Sequence, residues 1–563
     1  MTISAVQPVS RSPVRWRRPL FWGLGAVLVL ELLYNAVLAT GLLAAVLNHF
    51  IQDRPRVEWS RAWSLIPGRV HVRDLKLLHE EPNGSFWQLE MDEVKVNLSL
   101  LALLQRQLRS DALDVQGLRV RLHPGVSVPG VEHPKGPPPS NPWQVLLHGV
   151  RVHNVQQLDW NGFLITGLQE ASGSFELVPG QRVSVRDARM TFGAGQVSYE
   201  KDVIANLEQG SAGFSLEAQR TQGPEGGLDL ISGMTEGRFQ FIATHPAFNE
   251  LPGLASRLGD ISLRGGAGRL EVDLHVKDGS LAPGTQLQGT GAPVHLAVGP
   301  LHLRAPWRFH SDVYTPEDGV NRLGIKLTLG PVKMEGGDWP SIETPEVEVL
   351  VGAKAPRVDQ LPQDAHVEVN TQKVQATWAG ATMSGLVNVN VDAKKLALQR
   401  DTVVLHGSQV QFHDVSVRTG QDVQARNWDG TLAFPDATLA LSPPAAKGRF
   451  SGSFSNADPF VALLTFKGAL PGVLAPLLKA NNLGLSGVLS LGERGLTVSG
   501  LHAQGQGLEL FGNADSTGGP PHAVLLVKMG ILSVGVETGA EGTHVQLLHP
   551  SGWYKEKTGE KAD

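Results

Sequence analysis

Apolar and polar residues alternate along most of this chain after its first fifty positions, and this pattern constrains the fold more than any other feature. In the segment EVKVNLSL, the apolar residues Val94, Val96 and Leu98 are separated by Lys95 and Asn97. A period of two places alternate side chains on the same face of a β-strand. Strands with one apolar and one polar face are typical of antiparallel sheets.

The same alternation recurs far along the chain. Three further segments show it clearly, at Leu270–Val276, Leu323–Leu329 and Val387–Val391. Dipeptides that accept positive φ are predicted to form turns between strands. They are Asn83-Gly84, Asp278-Gly279, Gly336-Gly337 and Asp429-Gly430.

Helical stretches are short. The sequence predicts them at Leu100–Leu108, Ala247–Leu258 and Asp458–Ala480, and prolines interrupt the last of these. One boundary is visible, the proline-rich stretch His123–Pro142, which is unsuited to a central strand. A chain of 563 residues is too long for one ordinary core, yet no linkers divide it into several globular domains. We therefore predict one extended, mainly β body.

The amino terminus contains a strong membrane signal. Leu20 to Leu47 is a run of 28 residues with Glu31 as its one charge, which is longer than a membrane-spanning helix requires. Four arginines precede the run without any acidic residue, so the positive-inside rule places the amino terminus in the cytoplasm and the bulk of the chain outside it. The alternative is a cleaved signal peptide, with Ala44 and Ala45 near the cleavage point.

Glu31 and Asn35 are one helical turn apart and therefore form a polar face on this predicted membrane helix. A carboxyl group inside a membrane costs on the order of 3 kcal/mol unless it is paired or protonated. A partner membrane helix at Glu31 and Asn35 is one explanation. The alternative is that the long segment shifts until Glu31 is solvated.

The sequence does not contain the usual signatures of catalysis, metal binding or nucleic-acid binding. It has no cysteine, no Gly-Lys dipeptide of a phosphate loop, no G-x-S-x-G elbow and no H-E-x-x-H helix. No two of its 19 histidines are spaced i, i+2, as neighbours on one strand face would be, or i, i+4, as neighbours on one helix face would be. The net charge of −5 argues against nucleic acid. We expect a protein without enzymatic activity, cofactor or metal.

The abundant apolar sheet face has to be buried in one of three ways: in a closed core, against a partner, or by a hydrophobic ligand. A resemblance favours the ligand. The stretch EWSRAWSLIPGRVHVRDLKLLHEE from Glu58 to Glu81, directly after one membrane helix, resembles the opening of AsmA-like proteins of Gram-negative bacteria. Glu93–Leu122 is similar to their recurring opening module, and Leu483–Ala514 resembles their glycine-punctuated carboxyl-terminal strands.

The opening pattern of Trp63, Pro67, Gly68, Val70 and Val72 also resembles related mitochondrial inner-membrane proteins of fungi. The resemblance implies one amino-terminal transmembrane helix in the inner membrane, followed by a long twisted antiparallel sheet curled into an apolar groove. It also implies phospholipid transport between the inner and outer membranes, in support of outer-membrane lipid homeostasis. Acyl chains are then the ligand, and the bulk of the chain is periplasmic.

On this interpretation the chain divides into successive parts. These are a basic cytoplasmic tail (1–19), the transmembrane helix (20–47), an AsmA-like β module (48–123), a proline-rich loop (124–142), the β-groove body (143–554) and a charged tail (555–563). The alternating segments supply the expected groove lining, which consists of Val94, Val96, Leu98, Leu270, Val272, Leu274, Val387, Val389 and Val391. The alternative function is an anchored structural or interaction scaffold for envelope or outer-membrane protein assembly, whose apolar face is simply a core.

Overall fold

The computed structural model describes the greater part of the chain. The described residues are 29–40, 56–80, 86–123, 142–160, 162–178, 181–199, 202–219, 233–250, 261–298, 301–336, 340–357, 364–378, 380–394, 402–419, 422–441, 444–459, 461, 480–492, 495–517 and 522–559. The chain forms two compact units. Unit 1 comprises residues 1–191 and 219–228, and unit 2 comprises residues 192–218 and 229–563.

Unit 1 is mainly β, with two short helices among its described residues. The helices are α1 (29–39) and α2 (Leu100–Leu104). The strands are β1 (Arg56–Glu58), β2 (Arg61–Ile66), β3 (Arg69–Glu80), β4 (Phe86–Leu98), β5 (Gln107–His123), β6 (Gln144–Trp160), β7 (Phe163–Ile165), β8 (Leu168–Val178) and β9 (Arg182–Phe192).

Strand pairing in unit 1 is mixed, so the prediction of a purely antiparallel sheet is wrong here. Strands β1 and β2 both pair with β3, and β3–β4, β4–β5 and β6–β8 are antiparallel. Strands β5 and β6 are parallel, with Gln107 opposite Gln144 and Leu122 opposite Trp160. Parallel neighbours need a crossover of a dozen or more residues. The proline-rich stretch between β5 and β6 is long enough for that crossover. The alternation of apolar and polar residues does not reveal whether two strands pair in parallel.

Three residues with positive φ lie level with one another on strands of unit 1. Asp74, Gly117 and Asn154 have φ of 52°, 70° and 56°, and the registers place them level with one another on β3, β5 and β6. Each interrupts the alternation by one residue, so that apolar positions on either side lie on the same face. Val152 and Val155 illustrate this, because both are buried although three positions apart.

Unit 2 is a long succession of strands with one described helix of more than a single turn, α3 (Pro550–Thr558). A 3-10 turn covers Phe248–Glu250. The strands are β10 (Gly195–Tyr199), β11 (Asp202–Gln219), β12 (Met234–His245), β13 (Ile261–Gly265), β14 (Gly268–Lys277), β15 (Ser280–Leu281), β16 (Gln286–Val298), β17 (Leu301–Tyr314), β18 (Arg322–Leu329), β19 (Val332–Glu335), β20 (Ser341–Thr344), β21 (Val347–Lys354), β22 (Asp364–Thr371), β23 (Val374–Trp378), β24 (Ala381–Lys394), β25 (Thr402–Thr419), β26 (Asp422–Leu441), β27 (Pro444–Asn456), β28 (Asn481–Gly492), β29 (Gly495–Gly505), β30 (Leu508–Asp515), β31 (His522–Met529), β32 (Leu532–Gly539) and β33 (Gly542–Gln546).

The described pairings within unit 2 are all antiparallel and mostly join neighbours in the chain. From β24 to β33 each strand pairs with the next without exception. Between β17 and β24 two series of antiparallel pairs lie side by side. One runs through β18, β21 and β22, and the other runs through β19, β20 and β23. The two series are the halves of long strands that are interrupted in the middle.

Prolines and glycines mark these interruptions. Pro293 lies at a register shift between β16 and β17, and the Gly330 amide donates to the Pro306 carbonyl at 3.2 Å. A Cβ on Gly330 would lie 2.4 Å from the Pro345 carbonyl oxygen, so these positions are adjacent across the sheet. Proline cannot donate to a ladder, and it is tolerated inside a sheet at such irregularities. We call this set the proline line; its members are Pro293, Pro306, Pro331 and Pro345.

Two buried clusters anchor the carboxyl-terminal half of unit 2. The larger joins β25 to β31 and contains Val415, Val417, Ala425, Trp428, Phe454, Ala457, Val461, Ala480, Leu483, Ala503, Leu508 and Val527. The smaller holds α3 against β31 and β32, where Tyr554 packs with Val524 and Leu526. Gly535 makes room for Trp553, because a Cβ there would lie 2.5 Å from the indole ring.

Several local predictions are confirmed or corrected. The helix predicted at Leu100–Leu108 ends at Leu104, since Arg106 adopts φ of 58° and β5 begins at Gln107. Asp278-Gly279 is a turn, as predicted. The prediction of a turn at Asp429-Gly430 is wrong, because both residues lie inside β26, beside the left-handed Asn427. Asn83, Gly84 and Gly337, and most of the other two predicted helices, lie outside the described residues.

The predicted membrane segment 20–47 falls within the described residues only at 29–40. Among the residues that the structure describes, none forms a helix with both the length and the apolar character needed to cross a membrane.

We predict that replacing Tyr554 with alanine releases α3 from the sheet. Tyr554 is 1% exposed, and loss of a large buried aromatic side chain costs about 3–5 kcal/mol. Trypsin should then cleave at Lys555 and Lys557 much faster than in the wild type, while Glu556→Ala, an exposed change in the same helix, should leave the rate unaltered. Equal cleavage of both variants would contradict this packing.

Candidate functional site

One continuous row of apolar side chains crosses unit 2 from β11 to β32. Each member is the direct cross-strand partner of the next, so all of them lie on the same face of the sheet. We call this set the apolar row; its members are Leu207, Ala243, Leu270, Gly289, Phe309, Leu327, Val349, Val369, Val389, Val410, Leu432, Gly452, Leu485, Ala503, Leu510, Val527 and Val534. No polar side chain interrupts it.

A second row on the same face runs beside the apolar row from β11 to β24. Its members are Gly210, Phe241, Val272, Leu287, Ser311, Ile325, Val351, Val367 and Val391. On the other side runs a row with several aromatic rings, namely His245, Gly268, Gly291, Trp307, Leu329, Val347, Thr371, Val387, Phe412, Gly430, Phe454 and Leu483. The three rows together form a broad apolar face, which we call the apolar face.

The opposite surface of the same strands is polar. The row directly behind the apolar face from β14 to β32 consists of Arg269, Thr290, Arg308, Thr328, Glu348, Asn370, Asn388, Gln411, Thr431, Ser453, Gly484, Gln504, Glu509, Lys528 and Ser533. Ion pairs such as Lys326–Glu348 lie on this surface. The sheet of unit 2 is therefore amphipathic over most of its strands.

The middle of the apolar row is only half-buried. This holds for nine successive strands, from Phe309 on β17 to Leu485 on β28, whereas Ala243 and Val527 near the two ends are 1% and 5% exposed. A second packed layer would bury these side chains as fully as those at the ends. At ~4.8 Å per strand the half-buried stretch is about 38 Å long. Leu432 and Leu485 pack against the larger buried cluster, so the half-buried part of the row outside that cluster runs from Phe309 to Val410.

Glycines allow the aromatic rings to lie flat on this face. A Cβ on Gly291 would lie 2.3 Å from the Trp307 ring, and one on Gly430 would lie 2.1 Å from Phe454. The Trp307 indole N–H donates a hydrogen bond to the Gly266 carbonyl at 3.0 Å. The rings therefore add apolar area without an unpaired polar group.

The structure places five of the predicted lining residues in the three rows of the apolar face and a sixth, Leu274, on the same side of β14. Leu270 and Val389 belong to the apolar row, and Val272 and Val391 to the row beside it. Val387 lies in the aromatic row, while Leu274 pairs with Phe239 one further step along β14. All six are half-buried.

The other three predicted lining residues lie together in unit 1. Val94 pairs with Val72 and Val115 and is 3% exposed, so it belongs to a core. Val96 and Leu98 follow on the same strand face and are half-buried.

Asn35 on α1 binds the backbone of strand β2 in unit 1. Its amide nitrogen donates to the Ser64 carbonyl at 2.7 Å, and its amide oxygen accepts from the Ser64 amide at 2.7 Å. It also donates to Glu31 Oε1 at 3.2 Å. The Trp59 indole N–H donates to the Leu38 carbonyl at 3.0 Å, which fixes the same helix a second time. The polar face predicted for this helix thus contacts the chain's own first strands.

Exposed apolar side chains lie near this junction. They lie on α1, at the end of β2 and on α2, and they are Val29, Leu30, Leu32, Leu33, Leu65, Ile66, Leu100, Leu101 and Leu104. The β2–β3 turn and α2 are neighbours, because the Leu98 amide donates to the Gly68 carbonyl at 2.7 Å and a Cβ on Gly68 would lie 3.8 Å from Leu100. We call this set the apolar collar. Arg61 on β2, Arg69 on β3 and Arg109 on β5 are exposed, and Arg109 pairs with Asp111 at 3.4 Å.

The described residues contain no group of three or more His, Asp or Glu side chains that is arranged to hold a metal ion. No protein-family model matches the chain, and no curated protein is detectably similar to it.

Two features are not evident from the alternation alone, namely the continuity of the apolar row and the proline line. The sequence signal for the interruptions is a step of three residues between successive apolar positions, as from Leu329 to Val332 and from Phe412 to Val415. Each step marks the point where a strand is interrupted and its apolar face resumes.

We predict that Asn35→Ala loosens strand β2. The Ser64 backbone loses both partners, and Ser64 is 1% exposed, so the local cost should be about 1–3 kcal/mol. Amide exchange of a peptide covering Arg61–Ile66 should accelerate by on the order of tenfold or more. Thr40→Ala is the matched control, because that hydroxyl bonds only to carbonyls of its own helix. Equal exchange in the two variants would rule out the Asn35–Ser64 contact.

Proposed function

We propose that this protein binds phospholipid acyl chains on the apolar face of unit 2 and moves phospholipid between two membranes without enzymatic chemistry. The observation that carries the proposal is the half-buried central stretch of the apolar row. A face of this kind is a ligand or partner surface when no second layer covers it.

The dimensions favour acyl chains as the occupant. The hydrocarbon core of a bilayer is about 30 Å thick for two leaflets, so one chain spans about 15 Å. The half-buried stretch of about 38 Å therefore accommodates more than one chain length. Burial of each methylene is worth about 0.8 kcal/mol, so an apolar track lowers the barrier to moving a lipid through water.

The amino-terminal features support a membrane attachment. The apolar run Leu20–Leu47 is long enough to span a bilayer. The apolar collar adds further exposed apolar side chains at the end of β2 and on α2. The exposed arginines near the collar suit the anionic headgroups of a membrane surface. We place the anchor in the inner membrane of a Gram-negative envelope, with the amino terminus cytoplasmic and the remaining chain periplasmic.

The resemblance of Glu58–Glu81 and Glu93–Leu122 to AsmA-like proteins is the basis for the transport role and for a sheet curled into a groove. The amphipathic sheet is consistent with that architecture. A scaffold for envelope assembly is the competing function, and it requires the same apolar face to be a closed core.

Charges placed on the two faces of the same strands distinguish lipid binding from a core. We predict that Val369→Asp/Val389→Asp/Val410→Asp loses phospholipid that co-purifies after gentle extraction, by at least about tenfold per protein molecule. Desolvating a carboxylate beside acyl chains costs more than the 1.4 kcal/mol that a tenfold change represents. Circular dichroism should show an intact sheet.

The matched control is Asn370→Asp/Asn388→Asp/Gln411→Asp, which adds the same charges one residue away on the polar surface of the same three strands. This variant should keep its lipid. Unfolding of the first variant would favour the scaffold, and a folded first variant that retains lipid would contradict the lipid site.

A further inference from the structure

One cavity among the described residues lies on the surface of unit 2 that carries polar side chains. It has a volume of about 1400 Å³ and is bounded along one side by the proline line. Strands β13, β16, β17, β19, β20 and β23 supply its floor. Leu296 and its cross-strand partner Leu303 also line the cavity, so its wall is partly apolar. None of the residues in the three rows of the apolar face lines it.

Basic side chains line the floor as direct cross-strand neighbours. Arg264 pairs with His295, His295 with Arg304, and Arg304 with Lys333. Such partners share a face at ~4.8 Å per strand, so the row spans about 14 Å. Lys373 lies on the same wall. We call these residues the cationic row; its members are Arg264, His295, Arg304 and Lys333.

The charges of this cavity are not balanced. Its lining contains four permanent cations and two carboxylates, Glu335 and Glu343. Glu335 lies 3.0 Å from Lys333, and this hydrogen bond raises the pKa of Lys333 and keeps it charged. Among the described residues, Arg264, Arg304 and Lys373 have no carboxylate within ion-pair distance.

Some cations elsewhere on the polar surface are paired across strands, as in Arg238–Asp273 at 2.7 Å and Arg269–Glu208 at 3.2 Å. Like charges directly opposite one another destabilise a sheet, and Arg304 directly opposes Lys333. The chain as a whole is acidic, with a net charge of −5. All four members of the cationic row are exposed, so a row of mutually repelling cations along a cavity wall is open to an anionic ligand.

We propose that this cavity binds a ligand that carries two or more phosphate groups. Guanidinium groups bind phosphate oxygens in a bidentate fashion. Arg264 and Arg304 lie two strands apart and Lys333 lies on the next strand, so the three cations match anionic groups separated by several ångströms. The volume exceeds that of an ordinary small-molecule pocket, so the ligand has a body beyond its phosphates. The phosphates belong either to a soluble molecule or to a lipid headgroup. This site does not depend on the function proposed for the apolar face.

The test measures binding of two probes to the full-length chain in detergent micelles. Pyrophosphate represents the soluble source, and phosphatidylcholine vesicles containing cardiolipin, a lipid with two phosphates, represent the headgroup source. Wild-type protein should bind at least one probe, with affinity that falls as salt rises. Binding of pyrophosphate alone identifies a soluble ligand, and binding of the cardiolipin vesicles alone identifies a headgroup.

Arg264→Ala/Arg304→Ala should weaken the dissociation constant for the bound probe at least tenfold. Arg308→Ala is the matched control, because Arg308 lies on the same surface of β17 outside the cavity, and it should bind as the wild type does. Without ligand, Arg304→Ala should raise the midpoint of thermal unfolding, since it relieves the repulsion from Lys333. Failure of wild-type protein to bind either probe, or equal weakening by Arg308→Ala, would overturn the proposal.

Discussion

Cross-strand register is the constraint on which unit 2 depends. Because side chains alternate between faces, a slip of one residue in any strand would move its apolar set to the polar surface. The registers avoid this from β11 to β32, so that residues as distant in sequence as Leu207 and Val534 belong to one row. The amphipathic character of the sheet is a property of this alignment and not of any single strand.

Interruptions preserve the alignment while allowing the long strands to be broken. At Gly330-Pro331, and again at Asp414, one extra residue separates two alternating runs and returns the second run to the same face. Unit 1 achieves the same result with the level residues Asp74, Gly117 and Asn154. Bulges of this kind also bend a strand locally. The same few residues therefore determine where a strand is interrupted and on which face of the sheet its apolar side chains lie.

Much of this fold could be predicted from sequence, because alternation is a local signal. The strands containing Val94, Leu270 and Val389 were predicted correctly, and so was the shared face of Leu270 and Val272. The partners of each strand are not local information. For that reason alternation did not reveal the parallel pairing of β5 with β6, nor the strand that runs through Asp429-Gly430.

The same limit applies to the functional surfaces. The cationic row assembles Arg264, His295, Arg304 and Lys333 from four strands, and no two of these residues are close in sequence. The Asn35–Ser64 contact joins a predicted membrane helix to a strand 29 residues away. The sequence predicts a polar helix face at Glu31 and Asn35, explained by a partner helix or by solvation of Glu31, but it carries no signal that Asn35 binds the backbone of Ser64.

The central claim is that the half-buried part of the apolar face is a lipid surface. Photo-crosslinking amino acids at Val389 and Val410, with Asn388 and Gln411 as controls on the opposite surface, test it most directly in intact cells. Mass spectrometry of the purified full-length chain should find phospholipid adducts at the first pair and few or none at the second. Adducts absent from Val389 and Val410, or equally frequent on both surfaces, would contradict the claim.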